Sequence, residues 1–231
     1  QAPSKEHLLG TDELGIDILA QILFGTSVSL LVGVSVGVIA GVGGSVLGMW
    51  AGYRGGGIDR FVMSVSDIIL CVPNIILIIV ISAFFGSNMF YIIVTIAVLS
   101  WVGPARISRS KMLSIRKEKY ITAAISYGAG FSHLLKRHFL PTLYPIVCMS
   151  FIRMVSNGMT MEASLAFLGI GDPTLSSWGS MINQAVQFPG IYFTDYWKWM
   201  IIPPVVCFVL FILCISFVGR DFEKVFNEKV M

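Results

Sequence analysis

The chain has 231 residues, 55% of them hydrophobic and 13% charged, with a formal net charge of +3. An ordinary soluble domain is about 25% charged, so 16 basic and 13 acidic side chains cannot clothe a soluble globule of this size. Disordered, coiled-coil and disulfide-scaffold classes are excluded with it, +3 is too small to imply nucleic acid, and an all-α integral membrane protein is what remains.

Residues 1–26 are expected outside the membrane. Thr11 can cap a helix, with Asp12 and Glu13 in its first turn, where the helix dipole favours acids. Leu14, Ile18 and Ile22 recur at i, i+4 and i+8. This predicts an amphipathic helix lying at the interface, or else an ordinary helix leading into the first span. No charge occurs from Ile18 to Tyr53, from Ile68 to Ala105 or from Trp199 to Gly219. A fourth apolar stretch from Leu140 to Leu168 is broken only by Arg153 and Glu162. Phe85-Gly86-Ser87-Asn88 reads as a tight turn that splits the second window in two. Five spans follow, at 27–52, 68–85, 89–106, 142–162 and 199–219, within a transmembrane unit 27–231. The chain begins with Gln, so an upstream segment is expected, and one further span would make six.

The first span carries two rows of glycines four residues apart, Gly33, Gly37, Gly41 and Gly44, Gly48, Gly52. Such rows let another helix approach closely, either as static packing or as a surface that slides. The four cysteines, Cys71, Cys148, Cys207 and Cys214, all lie in apolar stretches without a CxxC, and read as small buried hydrophobes.

Basic residues fix the topology. Loop 53–66 carries Arg54 and Arg60, and the tail carries Arg220, Lys224 and Lys229. Segment 106–141 carries Arg106, Arg109, Lys111, Arg116, Lys117, Lys119, Lys136 and Arg137 against one acid, Glu118. The positive-inside rule puts these segments and the C-terminus in the cytoplasm, and loop 163–198 outside. Within 107–141, Lys111 to Ser126 has helical composition and Gly128-Ala129-Gly130 breaks it. Ser132 can cap a second helix, His133 to Leu140, which Pro141 ends. The result is a cytoplasmic helix–Gly–helix hairpin, with small Ala123, Ala124, Gly128 and Ala129 permitting close approach by another protein.

In the fourth span, Arg153 and Glu162 are nine residues apart and point to opposite helix faces, so they should not pair. Arg153, Ser156, Asn157 and Thr160 share one face. Charge there is costly, so this stripe is expected to line a pathway, meet a partner, or be satisfied within the subunit. Loop 163–198 holds Trp178, Phe188, Tyr192, Phe193, Tyr196 and Trp197, an interfacial aromatic belt or a docking surface.

Thr122-Ala123-Ala124, three residues, Gly128, nine residues and then His138-Phe139-Leu140-Pro141 resembles the E-A-A-x3-G-x9-I-x-L-P loop of ATP-binding-cassette importer permeases, departing at Thr122 and His138. His7-Leu8-Leu9-Gly10-Thr11-Asp12-Glu13-Leu14-Gly15-Ile16-Asp17 is similar to the H-x-L-G-T-D-x-L-G-R-D of the second permease subunit of oligopeptide, dipeptide and nickel importers, with Ile16 in place of Arg. Ala51 to Asp59, Glu162 to Gly171, Ser177 to Met181 with Trp178, and Val218 to Asp221 resemble further motifs of that subfamily, in order. The resemblance implies a non-catalytic subunit in a prokaryotic cytoplasmic (inner) membrane. It implies a second permease subunit, two cytoplasmic ATP-binding subunits that hold the ATP and Mg, and an external substrate-binding protein. Thr122, Ala123, Ala124, Gly128, Ala129, Leu140 and Pro141 would couple to the ATPase. Gly10, Thr11, Asp12, Glu162 and Trp178 would be structural. The cargo would be a peptide, nickel or a metal–chelator complex. No G-x4-G-K-[ST] occurs, so this chain has no P-loop of its own. An ion-gradient-driven transporter or channel is the alternative. It would require paired intramembrane acids or inverted repeats, and neither is visible.

Overall fold

The computed structural model describes residues 1–228, without the side chains of 125, 131, 132 and 225–228. The expected Ser132 cap and basic Lys229 lie outside the described residues. In chain order the helices are α1 (Ile18–Arg54), α2 (Gly56–Leu70), α3 (Asn74–Phe85), α4 (Met89–Arg116), α5 (Lys119–Ser126), α6 (Leu135–Phe167), α7 (Trp178–Gln187) and α8 (Ile202–Glu228). Single helical turns, Phe131–Leu134 and Trp197–Met200, lead into α6 and α8. Among the described residues four stretches are long and apolar enough to cross a membrane, and the α2–α3 pair, bent by 85°, is either a fifth, broken span or a re-entrant loop. The basic ends of α1, α4, α6 and α8 gather on one side of the bundle. Arg116 Nη1 donates to the Tyr53 carbonyl at 2.9 Å there, and Arg153 faces Glu223.

Four expectations about helix limits are corrected. The N-terminal helix does not start at Thr11. Asp17 is its cap, with Oδ1 accepting from Leu19 N at 2.8 Å and Ala20 N at 3.2 Å. Asp12 instead folds the preceding loop by accepting from Leu14 N and Ile16 N. Ile18 and Ile22 are buried against Trp178, Met159 and Met181, so α1 runs unbroken through position 26 into the first span and no separate interfacial helix forms. The span expected at 68–85 is interrupted at Cys71–Pro73. Pro73 has no N–H and disfavours helical backbone at Val72, which breaks the ladder there. The helix expected over Lys111 to Ser126 is interrupted at Lys117 and Glu118. Pro141 does not end a helix. The chain widens into a π turn over Leu135–Phe139, where Leu140 N–H reaches back to the Leu135 carbonyl, and Pro141 and Pro145 are carried inside α6.

Other expectations hold. The turn after Phe85 is made by Gly86 at φ +84°, and Asn88 caps α4 through Phe90 N. The two glycine rows meet different helices. Cβ atoms at Gly33, Gly37 and Gly41 would stand within 2.9 Å of Met159, Val155 and Phe151, successive i+4 positions of α6. Those at Gly44, Gly48 and Gly52 would press on Trp101, Ala105 and Arg109 of α4. A π turn over Gly37–Gly43 lies where the first row gives way to the second. Both rows are close-packing faces, which hold α1 between α4 and α6.

Three apolar clusters stack along this clamp. One, at the end opposite the basic side, joins Ile18, Ile22, Val155, Met159, Trp178 and Met181. A middle one joins Val32, Val36, Ile78, Ile92, Ile96 and Leu165. The third, at the basic side, joins Met112, Ile115, Ile121, Leu134, Phe139 and Leu143. α8 is apolar all round yet only 6% of its apolar window is buried, so its surface is left for lipid or other subunits. Cys71 and Cys214 are exposed, Cys148 and Cys207 half-buried, which corrects the expectation of buried cysteines.

Candidate functional site: the basic hairpin and the charged face of α6

The hairpin grows out of the basic-side cluster. α4 stops at Arg116, and Glu118 restarts the chain by accepting from Ile121 N and Thr122 N at 3.1 Å. α5 then presents Ile121 inward, fully buried, and Thr122 and Ala123 outward, with Ala124 half-buried. Ala129 N donates to the Ala124 carbonyl at 3.0 Å across Gly128, which holds φ +83°. This left-handed step is open to glycine and strained for most other residues. Tyr127 beside it is 92% exposed. The return limb is anchored by Leu134, Phe139 and Leu143, and Phe139 packs edge-on against Tyr53 of α1 at 5.7 Å. Leu140 and Pro141 lie on the exposed face, so the anchors of the return limb are residues the sequence reading missed. His138, which stands where the family pattern has an aliphatic residue, packs at a tilt against Tyr120 at 5.6 Å and edge-on against His133 at 6.0 Å. The hairpin thus offers small residues outward from a base packed against α1, α4 and α6.

Two ion pairs bind α2 to α4 at the same side, and sequence reading did not pair them. Arg109 forks onto both Asp59 oxygens, with Nη2–Oδ2 at 2.6 Å, and Arg106 reaches Asp67 and Ser66. Asp59 closes the Ala51–Asp59 motif, which was the available signal. The first pair is 28% and 16% exposed, the second 41% and 69%. Asp59→Ala is therefore expected to cost about 1.5–3 kcal/mol, because a partly buried guanidinium loses a bidentate partner. Asp67→Ala is expected to cost under about 1 kcal/mol. Thermal unfolding of the detergent-purified variants checks the order, and equal shifts would contradict it.

The polar stripe of α6 is divided by the fold. Asn157 Nδ2 donates to Ser100 Oγ of α4 at 3.3 Å, and Thr160 Oγ1 to the Ser156 carbonyl in its own helix at 2.8 Å. Arg153 and Thr160 are exposed, and Arg153 projects towards Glu223 of α8. It does not meet Glu162, as expected. Glu162 is buried and accepts from Ser29 Oγ of α1 at 3.2 Å.

The end opposite the hairpin is bound by the remaining motif residues. Trp178 Nε1 donates to the Ile22 carbonyl at 3.2 Å, and its ring meets Phe208 and Phe211 edge-on. Thr11 is buried and bridges to Asp17, and Gly10 packs where a Cβ would strike Trp199. His7 Nδ1 and Asp17 Oδ2 are 2.8 Å apart, and that hydrogen bond, with the Ala20 N–H, holds the Asp17 carboxyl below its ordinary range. Asp172 ties the α7 loop to α4 by accepting from Met89 N. The Thr174 hydroxyl and N–H lower its carboxyl in the same way. Both carboxylates support the fold above the ordinary carboxylate range and lose that contribution as pH falls through their lowered values. Tyr192 and Phe193 of this loop are exposed, whereas Tyr196 meets both Phe188 and Trp199 edge-on.

Comparisons with known proteins agree on one family. The family model described as "Binding-protein-dependent transport system inner membrane component" matches residues 44–229. A Brucella suis protein named as a peptide permease is 34% identical over 235 residues, covering 99% of this chain and 75% of its own length. The oligopeptide transport system permease protein OppC of Bacillus subtilis is 31% identical over 212 residues, covering 90% of this chain and 68% of that one. The glutathione transport system permease protein GsiD of Pectobacterium atrosepticum is 37% identical over 186 residues, covering 80% and 62%. Among solved structures, a chain of the MetNI methionine ABC transporter in an inward-facing conformation superposes with a TM-score of 0.68 at 19% identity. It covers 93% of this chain and 99% of that chain, a likeness of fold.

Proposed function

We propose that this chain, which belongs to the family of binding-protein-dependent transport system inner membrane components and is a permease subunit of an ATP-binding-cassette importer, imports peptides across a prokaryotic cytoplasmic membrane. Relatives are named for peptides, oligopeptides, dipeptides and glutathione, which supports a peptide cargo. Nickel and metal–chelator cargoes, and an ion-gradient mechanism, find no support of this kind.

The observation that supports the mechanism best is the hairpin, whose small outward residues and left-handed Gly128 stand on a base packed into α1, α4 and α6. In this reading the basic side faces the cytoplasm, with the C-terminus there. The surface Thr122, Ala123, Ala124, Gly128 and Ala129 sits in a groove of one of two ATPase subunits, which bind the ATP and Mg. Their closure on ATP moves the hairpin as a lever. Because Ile121, Leu134 and Phe139 join it to the helix ends, the movement tilts α4 and α6 together, a rigid-body switch between open states. A second permease subunit completes the path, with Arg153, Ser156, Asn157 and Thr160 as candidate lining from this chain. An external binding protein docks on the end bearing Tyr192 and Phe193 and delivers the cargo.

Reconstitution tests this. Vesicles holding this chain, a partner permease and the ATPases, supplied with the binding protein, are expected to take up labelled peptide only with internal ATP. A chain that purifies without nucleotide-binding subunits, with uptake indifferent to ATP, overturns the reading.

A further inference from the structure

Arg153 is an outlier in its surroundings. It lies 14 residues before Phe167, about 20 Å along α6 at 1.5 Å per residue, in a helix that is otherwise apolar or internally bonded there. Its side chain is 60% exposed, and its nearest opposite charge, Glu223 Oε2, is 3.9 Å away and 51% exposed. That is beyond hydrogen-bond length, and among the described residues neither group has another hydrogen-bond or ion-pair partner. A pair so open and so long is weakly held and open to exchange. Beside it, Ile107, Pro145, Met149 and Ser150 line an open cavity of about 190 Å³ between α4, α6 and α8. The cavity is mostly apolar, with one cation and one anion at its edge.

We propose that this cavity is a cargo-binding station in which Arg153 holds the terminal carboxylate of a peptide and Glu223 is the resting counter-ion that the carboxylate displaces. Arginine suits the task, because its planar fork takes a carboxylate through two parallel N–H···O bonds, which Glu223 at 3.9 Å does not make. The exchange keeps Arg153 beside a negative charge whether cargo is present or not. Glu223 returns as the peptide leaves, so the station binds without trapping. The apolar lining of Ile107 and Met149 receives side chains of any peptide without selecting among them, and the carboxylate gives the orientation.

The inference rests on the peptide-import reading, and two measurements separate them. In the purified complex with partner permease and ATPases but without binding protein, a fluorescent tripeptide with a free C-terminus is expected to bind about tenfold more tightly than its C-terminal amide, one charge-assisted interaction. R153Q is expected to bind the two alike. R153K, which keeps the charge and so the fold, is expected to show a reduced preference, and E223Q, freed of the competing counter-ion, an increased one. Equal binding by the unaltered complex, an undiminished preference in R153Q, or a loss in E223Q overturns the proposal. The preference should be the same in nanodiscs with and without anionic phosphatidylglycerol. A preference that vanishes with anionic lipid assigns Arg153 to lipid phosphate instead and overturns it. ATP-driven peptide uptake by complexes lacking the preference leaves the import reading standing and this inference refuted. No peptide uptake at all removes both.

Discussion

Gly48→Ala is expected to cost the protein most of its folded yield. A Cβ at this position would stand 2.0 Å from the Ala105 carbonyl oxygen and 2.7 Å from its Cα, far inside van der Waals contact. The obstacle is backbone of α4, so no side-chain rotation relieves it. Nor can α1 rock away, because Gly44 and Gly52, one turn to either side, press on Trp101 and Arg109 of the same helix. The two helices must separate along the whole contact, which also opens the basic-side cluster around Met112. Overpacking in a well-filled core costs roughly 1–3 kcal/mol and sometimes more, and a backbone clash of this depth belongs at or above the top of that range. Gly43→Ala is the control. It lies on the same helix, yet its Cβ would find nothing nearer than the Val38 carbonyl at 3.9 Å. Alanine there is expected to be neutral or to stabilise by up to about 1 kcal/mol through helix propensity. Folded yield by size-exclusion chromatography and the thermal midpoint in detergent give the comparison. Similar behaviour of the two variants would refute the clamp.

The contrast between these glycines also marks the limit of what the sequence discloses. Spacing alone identifies both rows as close-packing faces, because a glycine every fourth residue leaves one side of a helix bare. It cannot say that Gly37 meets α6 and Gly48 meets α4, since the choice depends on residues more than 50 positions away. The same distance hides the Arg109–Asp59 fork, although both residues stand in segments that attract notice by charge or motif. Helix starts fail for a different reason. Thr11 and Asp17 are both competent caps followed by apolar residues, and the local pattern does not choose between them. Trp178 decides, by burying Ile22 and binding its carbonyl from 156 residues further on. Pro141 misleads because the turn before it departs from α geometry. A wider turn over Leu135–Phe139 carries the chain past it. Class, crossings, the Gly86 turn and the hairpin are local or compositional properties, and those were legible.

Gly128→Trp is expected to abolish coupling while sparing the membrane fold. The residue is exposed at the tip of the hairpin, and no atom lies within 4 Å of a Cβ built there, so the bulk of tryptophan meets nothing in this subunit. The φ of +83° costs an ordinary L-residue about 1–2 kcal/mol. That strain falls on a loop rather than on Ile121, Leu134 and Phe139, which hold the hairpin to α1, α4 and α6. Membrane insertion and thermal midpoint should therefore stay near those of the unaltered chain. What changes is the outward surface around Thr122 and Ala123, where a large ring would keep a groove-forming partner from closing on small residues. ATP-dependent uptake should fall at least about tenfold, a loss of about 1.4 kcal/mol of coupling or more, and the ATPase subunits should be lost on purification. Gly128→Asn separates the two effects, because asparagine tolerates left-handed backbone and adds little bulk. It should retain most association and transport. If the tryptophan variant keeps both, the lever is not this surface. If the asparagine variant loses both as well, the hairpin depends on its backbone turn more than on the room around it.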